Sequence, residues 1–174
     1  MMITYSEIQG TETPVQFAEY AHAYRNAAEC LCEKMLEDPV HETWPNASVV
    51  LMLSAHAVEL FLKAAILARR KDADIGHHNI YELANQYNQI FTEPELEWDI
   101  PFQVVRAGSS TEELINVVRG RPVYSMLFRY PTSKSGSEWA GAFGFEPRAA
   151  LISLQGLLKE FQRLEPHFLP VGST

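Results

Sequence analysis

The sequence predicts an all-α protein, an antiparallel helical bundle of four to five main helices with an irregular segment before the last one. Three observations predict it. Apolar residues recur at a helical period of about 3.6 residues in four separate segments. Prolines and capping residues punctuate those segments where helices start and stop. A chain of 174 residues, 47% hydrophobic and 21% charged, is long and apolar enough to bury one core. The expected organisation is a single domain over residues 1–174.

The first helix is expected to open with Thr13 as N-cap and Pro14 at the first helical position, where a missing N–H costs nothing. Its apolar stripe reads Phe17, Tyr20, Ala21, Tyr24, Ala28, Leu31 and Met35, and Pro39 lies just beyond its end. The second helix follows Trp44-Pro45 and runs over 46–70. It is apolar nearly all round, as the central helix of a bundle is. That circumference, more than a small bundle covers easily, also points to a homodimer.

A short link over 71–78 contains Gly76, which suits a turn. Asn79 then N-caps the third helix, with Glu82 in the capping-box position. Ile80, Leu83, Ala84, Tyr87, Ile90 and Phe91 form its apolar face. The last helix starts near Pro147 and carries Ala150, Leu151, Leu154, Leu157, Leu158, Phe161 and Leu164, with Pro166 and Pro170 closing it. Between these two helices, capping-box pairs (Thr92 with Glu95, Ser110 with Glu113) suggest short helices over 93–98 and 111–119. Residues 123–128 read as a short strand or as core. The stretch 120–146 has no helical period.

Composition narrows the function classes. The net charge is −8, made up of −10 over residues 1–105 (6 basic, 16 acidic) and +2 over 106–148 (6 basic, 4 acidic), the rest being neutral. Such a protein does not coat nucleic acid indiscriminately, although a local site stays open to it. Cys30 and Cys32 fall on opposite faces of a helix and read as reduced thiols, neither a disulfide nor a metal pair. The densest apolar run, 49–67, is interrupted by Ser54, His56, Glu59 and Lys63, so no membrane span is expected. The N-terminus MMITYSEIQG has neither the basic flank nor the apolar stretch of a secretory signal, and a cytoplasmic location is expected.

The residues able to carry chemistry concentrate on the second helix. His56, Glu59 and Lys63 lie three and four apart and form one polar stripe on an otherwise apolar helix, with Glu59 and Lys63 in the better order for an ion pair. An unpaired buried charge is expensive, so the stripe faces solvent, a subunit interface or a polar site; a solvated surface pair is the ordinary outcome. His77 and His78 with Asp72 and Asp74 lack a frame for zinc and read as turn and capping residues; no metal and no cofactor are expected. The 120–146 stretch interleaves Tyr124, Phe128, Tyr130, Trp139, Phe143 and Phe145 with Arg121, Arg129 and Lys134. Aromatic faces and arginines in that mixture suit stacked bases and phosphates, or plug the end of a bundle.

The run Ala57-Val-Glu59-Leu-Phe-Leu-Lys63-Ala, a short link, then Gly76-His77-His78-Asn79-Ile80-Tyr81-Glu82-Leu83 resembles the helical hairpin of the HEPN superfamily. Phe128-Arg129-Tyr130-Pro131 before a final amphipathic helix resembles it too, and the likeness covers about residues 13–165. The resemblance implies a helical module, often dimeric, associated with nucleotide or RNA binding or with a nucleotidyltransferase or antitoxin partner. Glu59, Lys63, His77, Arg129 and Tyr130 are then its ligand-binding candidates. Active ribonucleases of that superfamily carry an Arg and a His with four to six residues between them near the start of a late helix. Here Arg70 and His77, with six residues between them, fit the spacing but span the link, while Arg163 and His167 have only three residues between them, Pro166 included. The expectation is therefore a non-catalytic module. The alternatives are a metal-independent endoribonuclease toxin, with Arg70 and His77 as its catalytic candidates, and a structural protein-interaction domain.

Overall fold

Four α-helices carry the described part of the chain: α1 (Thr13–Glu37), α2 (Trp44–Arg69), α3 (Ile80–Ile90) and α4 (Pro147–Leu164). They belong to a computed structural model that describes residues 2–102, 128–132, 136 and 144–169. Among those residues there is no strand, and the fold is an all-α bundle. The helix 111–119 and nearly all of the segment 123–128 lie outside the described residues.

Prolines and caps set the helix starts within one or two residues of their expected places. Glu12 is the N-cap of α1, moving Thr13 and Pro14 into its first turn. Trp44 and Pro45 are the first residues of α2 rather than its approach, with Thr43 as N-cap. Glu146 caps α4 strongly, its carboxylate accepting from the backbone N–H groups of Arg148 and Ala149. Asn79 caps α3, accepting from the Tyr81 N–H. The reciprocal half of the expected capping box does not close on Glu82, because the Asn79 N–H points at His77 Nδ1, 3.4 Å away.

A six-residue turn makes α1 and α2 an antiparallel pair. The face that α1 buries is Val15, Ala18, Ala21, Arg25, Ala28, Cys32 and Met35, rotated from the expected stripe. Alanines sit at the centre because they let the α2 backbone come close. The larger Phe17 and Tyr24 pack at the edges, and Tyr20 is left exposed. α4 then runs antiparallel to α1: His22 meets Glu165, Arg25 meets the Leu154 carbonyl, and Cys32 Sγ reaches the Pro147 carbonyl at 3.2 Å. Cys30 is exposed and Cys32 buried, as their opposite faces require, and burial pushes the Cys32 thiol up.

Every residue from 57 to 66 of α2 is buried within this one chain. By length and composition α2 would in fact be long and apolar enough to cross a membrane, contrary to the sequence expectation. The bundle itself covers that run, so uncovered circumference supplies no argument for a dimer. Its centre is aromatic: Phe61 stacks on Phe161 at 3.8 Å between centroids, and Trp98 sets its edge against Phe61 at 5.7 Å.

The predicted helix over 93–98 is instead a single 3-10 turn, Pro94–Leu96, followed by an extended strap. Leu96, Trp98 and Ile100 point into the core while Glu97 and Asp99 stay outside, a period of two rather than 3.6. An extended segment without a sheet neighbour needs other partners for its carbonyls. Arg163 donates to those of Glu95 and Glu97, and the buried Tyr87 hydroxyl to that of Leu96 at 2.9 Å.

Candidate functional site

The polar stripe of α2 lies in the interior. Glu59 is 2% exposed and Lys63 6%, so the solvated surface pair expected from the sequence is a buried one. The difference arises from tertiary packing, with Tyr24 of α1 against His56 and His78 of the link against Glu59, which no single-helix pattern reveals. Lys63 Nζ stands 2.9 Å from Glu59 Oε1, and His78 Nδ1 stands 2.8 Å from the same oxygen. His56 Nδ1 approaches Oε2 at 3.6 Å, an electrostatic contact too long for a hydrogen bond, and its ring sets an edge against Tyr24 at 4.6 Å.

Burial alone would push the Glu59 carboxyl up. His56 beside it and the donors on Lys63 and His78 overcome that, and hold it down at about 2, against an ordinary 4.5. Glu59 is therefore ionised at every physiological pH and only accepts hydrogen bonds. It follows that His78 Nδ1 carries a proton and donates it, whatever the charge on the ring.

His78 comes from the link over 70–79, and its neighbour His77 turns the other way. In extended backbone, successive side chains point to opposite sides. His77 lies 3.4 Å from the Gln86 amide and 3.7 Å from Glu82 Oε2, while His78 reaches back to α2. Asp74 Oδ1 accepts from the Gly76 N–H at 3.1 Å, and the Asp74 carbonyl faces the Gln86 amide at 3.4 Å. His77 and Asp74 thus serve the turn and the start of α3, whereas His78 binds α2 and Asp72 lines a cleft beside the link.

Between the link and α3 lies a cleft of about 480 Å³, lined by Arg70, Lys71, Asp72, Asp74, Gln86 and Gln89 among others. That size falls in the range of roughly 300–1,000 Å³ usual for small-molecule sites. Among the described residues, Arg70 and Lys71 make no ion pair. A second cleft of about 420 Å³ lies beyond Lys71, between Pro14, Leu67, Ala68 and Phe168.

The structure therefore divides the predicted site residues among three places. Glu59 and Lys63 are together and buried. Arg70 lines the cleft, and His77 touches Gln86, which lines it too. Arg129 and Tyr130 are exposed and follow Phe128, whose carbonyl accepts from Ser48 Oγ at 2.6 Å. Ser48 is eleven residues before Glu59 on the same helix, about 16 Å at the helical rise, so these two do not join the Glu59 cluster. Of the aromatic mixture around them, Phe128 is buried and Phe145 packs on the core near Ala28 and Cys32, which makes both plugs of the bundle. Tyr124, Trp139, Phe143, Arg121 and Lys134 lie outside the described residues. Arg163 is committed to the strap and to Glu160, and His167 ends a 3-10 turn.

Sequence reasoning passed over Gln86, Gln89 and Arg25, and read His78 as a turn and capping residue rather than as a partner of Glu59. The signal for His78 was its pairing with His77 ahead of an N-cap. Two adjacent imidazoles leaving a helix start must face opposite ways, and one of them faces the bundle. No protein-family model matches the chain, and no curated protein or solved structure matches it.

Proposed function

We propose that this chain is a HEPN-like helical module that binds a phosphate-bearing ligand, a nucleotide or single-stranded RNA, in the cleft between the link and α3, without cleaving it. The observation that carries the reading is the lining of that cleft. Two cations with no ion pair among the described residues, Arg70 and Lys71, stand on the link side, and two amides, Gln86 and Gln89, stand on the α3 side. A guanidinium and an ammonium suit phosphate oxygens, and a glutamine amide offers the paired donor and acceptor that a base edge requires. Of the two acids in the lining, Asp72 and Asp74, Asp74 accepts from the Gly76 N–H. The homodimer and the nucleotidyltransferase or antitoxin partner belong to the same reading, and rest on the resemblance alone.

The test is fluorescence polarisation with a labelled single-stranded RNA decamer, in the presence of a chelator. Binding in the micromolar range is expected, weakened at least about tenfold by Arg70→Ala with Lys71→Ala, the scale of two lost charge-assisted hydrogen bonds. No binding by the wild-type chain at tens of micromolar protein would overturn the reading.

One observation favours a second reading. Of Arg70 and His77, which fit a ribonuclease spacing, Arg70 lines this cleft and His77 touches Gln86, which lines it too. If the decamer is cut, and Arg70→Ala or His77→Ala abolishes the cutting, the module is a metal-independent endoribonuclease.

A further inference from the structure

We infer that His78 is the positioning residue of this cleft: one hydrogen bond from its imidazole to the buried Glu59 carboxylate holds both walls in place. The inference rests on the cleft being the ligand site. His78 occupies the one position that belongs to both walls. Before it runs the link that carries Arg70 through Asp74. Directly after it comes Asn79, the N-cap of α3, and Gln86 and Gln89 follow along the same helix.

Among the described residues the link has little else to hold it. Its own bonds, Ala73 N–H to the Arg70 carbonyl and Gly76 N–H to Asp74, are internal to it. Its polar contacts to α3 are long: Gln86 stands 3.4 Å from the Asp74 carbonyl and from His77, and Glu82 3.7 Å from His77. Ala73 and Ile75 pack only partly against the core. The bond to Glu59, at 2.8 Å, is its short polar tie to α2, and the acceptor does not move: Lys63 holds the same oxygen at 2.9 Å inside the bundle.

The geometry also makes the tie sensitive to protons. The His78 side chain is 64% exposed although its partner is 2% exposed, so solvent has access to the ring while the carboxylate stays out of reach. A protonated imidazole donates to a carboxylate with charge assistance; a neutral one still donates from Nδ1, more weakly. The tie is therefore tighter with the imidazole charged than with it neutral. The other groups facing this point are Lys63 and His56 from α2, with Tyr24 of α1 against His56. On the far side of the link, Glu82 of α3 stands beside His77.

The experiment compares wild type, His78→Ala and His78→Gln by polarisation with the RNA decamer, whose phosphodiesters keep their charge throughout. Wild type should bind roughly threefold to tenfold more tightly near pH 5.5 than near pH 8, the scale of one charge-assisted hydrogen bond. His78→Ala should bind more weakly and lose that difference; His78→Gln, which keeps a donor without a titrating ring, should recover affinity and stay flat with pH. A His78→Ala variant with wild-type affinity and pH profile would overturn the inference. Hydrogen exchange on the ligand-free proteins separates this from a failure of the binding reading. Faster exchange over residues 71–82 in His78→Ala supports the tie even if RNA does not bind, and unchanged exchange overturns it.

Discussion

Two of the three charged side chains buried among the described residues, Arg25 and Glu59, are used differently, the third being Lys63, the partner of Glu59. Arg25 on α1 is 3% exposed and Glu59 on α2 is 2% exposed. Arg25 finds its partners on rigid elements: Asn26 at 2.7 Å and Glu29 along its own helix, and the Leu154 carbonyl of α4 at 3.2 Å. It fastens helix to helix. Glu59 takes Lys63 from its own helix and its third partner, His78, from a link with no regular structure. It fastens helix to link, and the link borders the cleft. The costs of burial are of one kind, whereas the consequences of losing a partner are not. Loss at Arg25 should loosen the bundle, and loss at His78 should loosen the cleft.

The comparison breaks most visibly at Lys63. Lys63→Met leaves an ionised Glu59 buried without its main counter-charge, which should destabilise the fold by about 3–5 kcal/mol. The double change Glu59→Gln with Lys63→Met removes both charges and should cost clearly less. Urea denaturation of the four proteins of that cycle measures the coupling, and a coupling near zero would mean the pair is solvated after all.

Acid gives the next largest effect. Because the folded-state pKa of Glu59 lies below its unfolded value, its contribution is fully present above about 4.5 and is lost as pH falls through about 2. At 1.36 kcal/mol per unit, the amount is about 3 kcal/mol. Denaturation followed between those two pH values should show that loss in wild type and not in Glu59→Gln; equal losses in both would place the acid sensitivity elsewhere.

At Arg25 the expected effect is smaller. Arg25→Met should cost about 1–3 kcal/mol, because it removes the bonds to the Leu154 carbonyl, Asn26 and Glu29, while Glu29, 21% exposed, turns to water. RNA binding, measured on the same variant under conditions where it is folded, should be unchanged. A variant that lost binding would erase the distinction between the two charges.

The sequence by itself determined the helices. A period of 3.6, prolines in the first turns of α1, α2 and α4, and Asn79 ahead of α3 are local features, and local hydrogen bonding and sterics suffice to read them. It also carried the pairing of Glu59 with Lys63, since four residues on a helix bring two side chains together wherever the helix lies. Tertiary structure decided which side of each helix faces inward. It chose the alanine face of α1 over the aromatic one, because closeness to α2 outweighed side-chain size, and it buried a stripe that looked solvated. It turned 97–100 into an extended strap, with the carbonyls of residues 95–97 at its start satisfied by Tyr87 and Arg163, from elements nine and more residues away. It also brought His78 onto Glu59, nineteen residues back along the chain. Contacts of that range depend on how the helices pack, and one helix's pattern holds no record of the others.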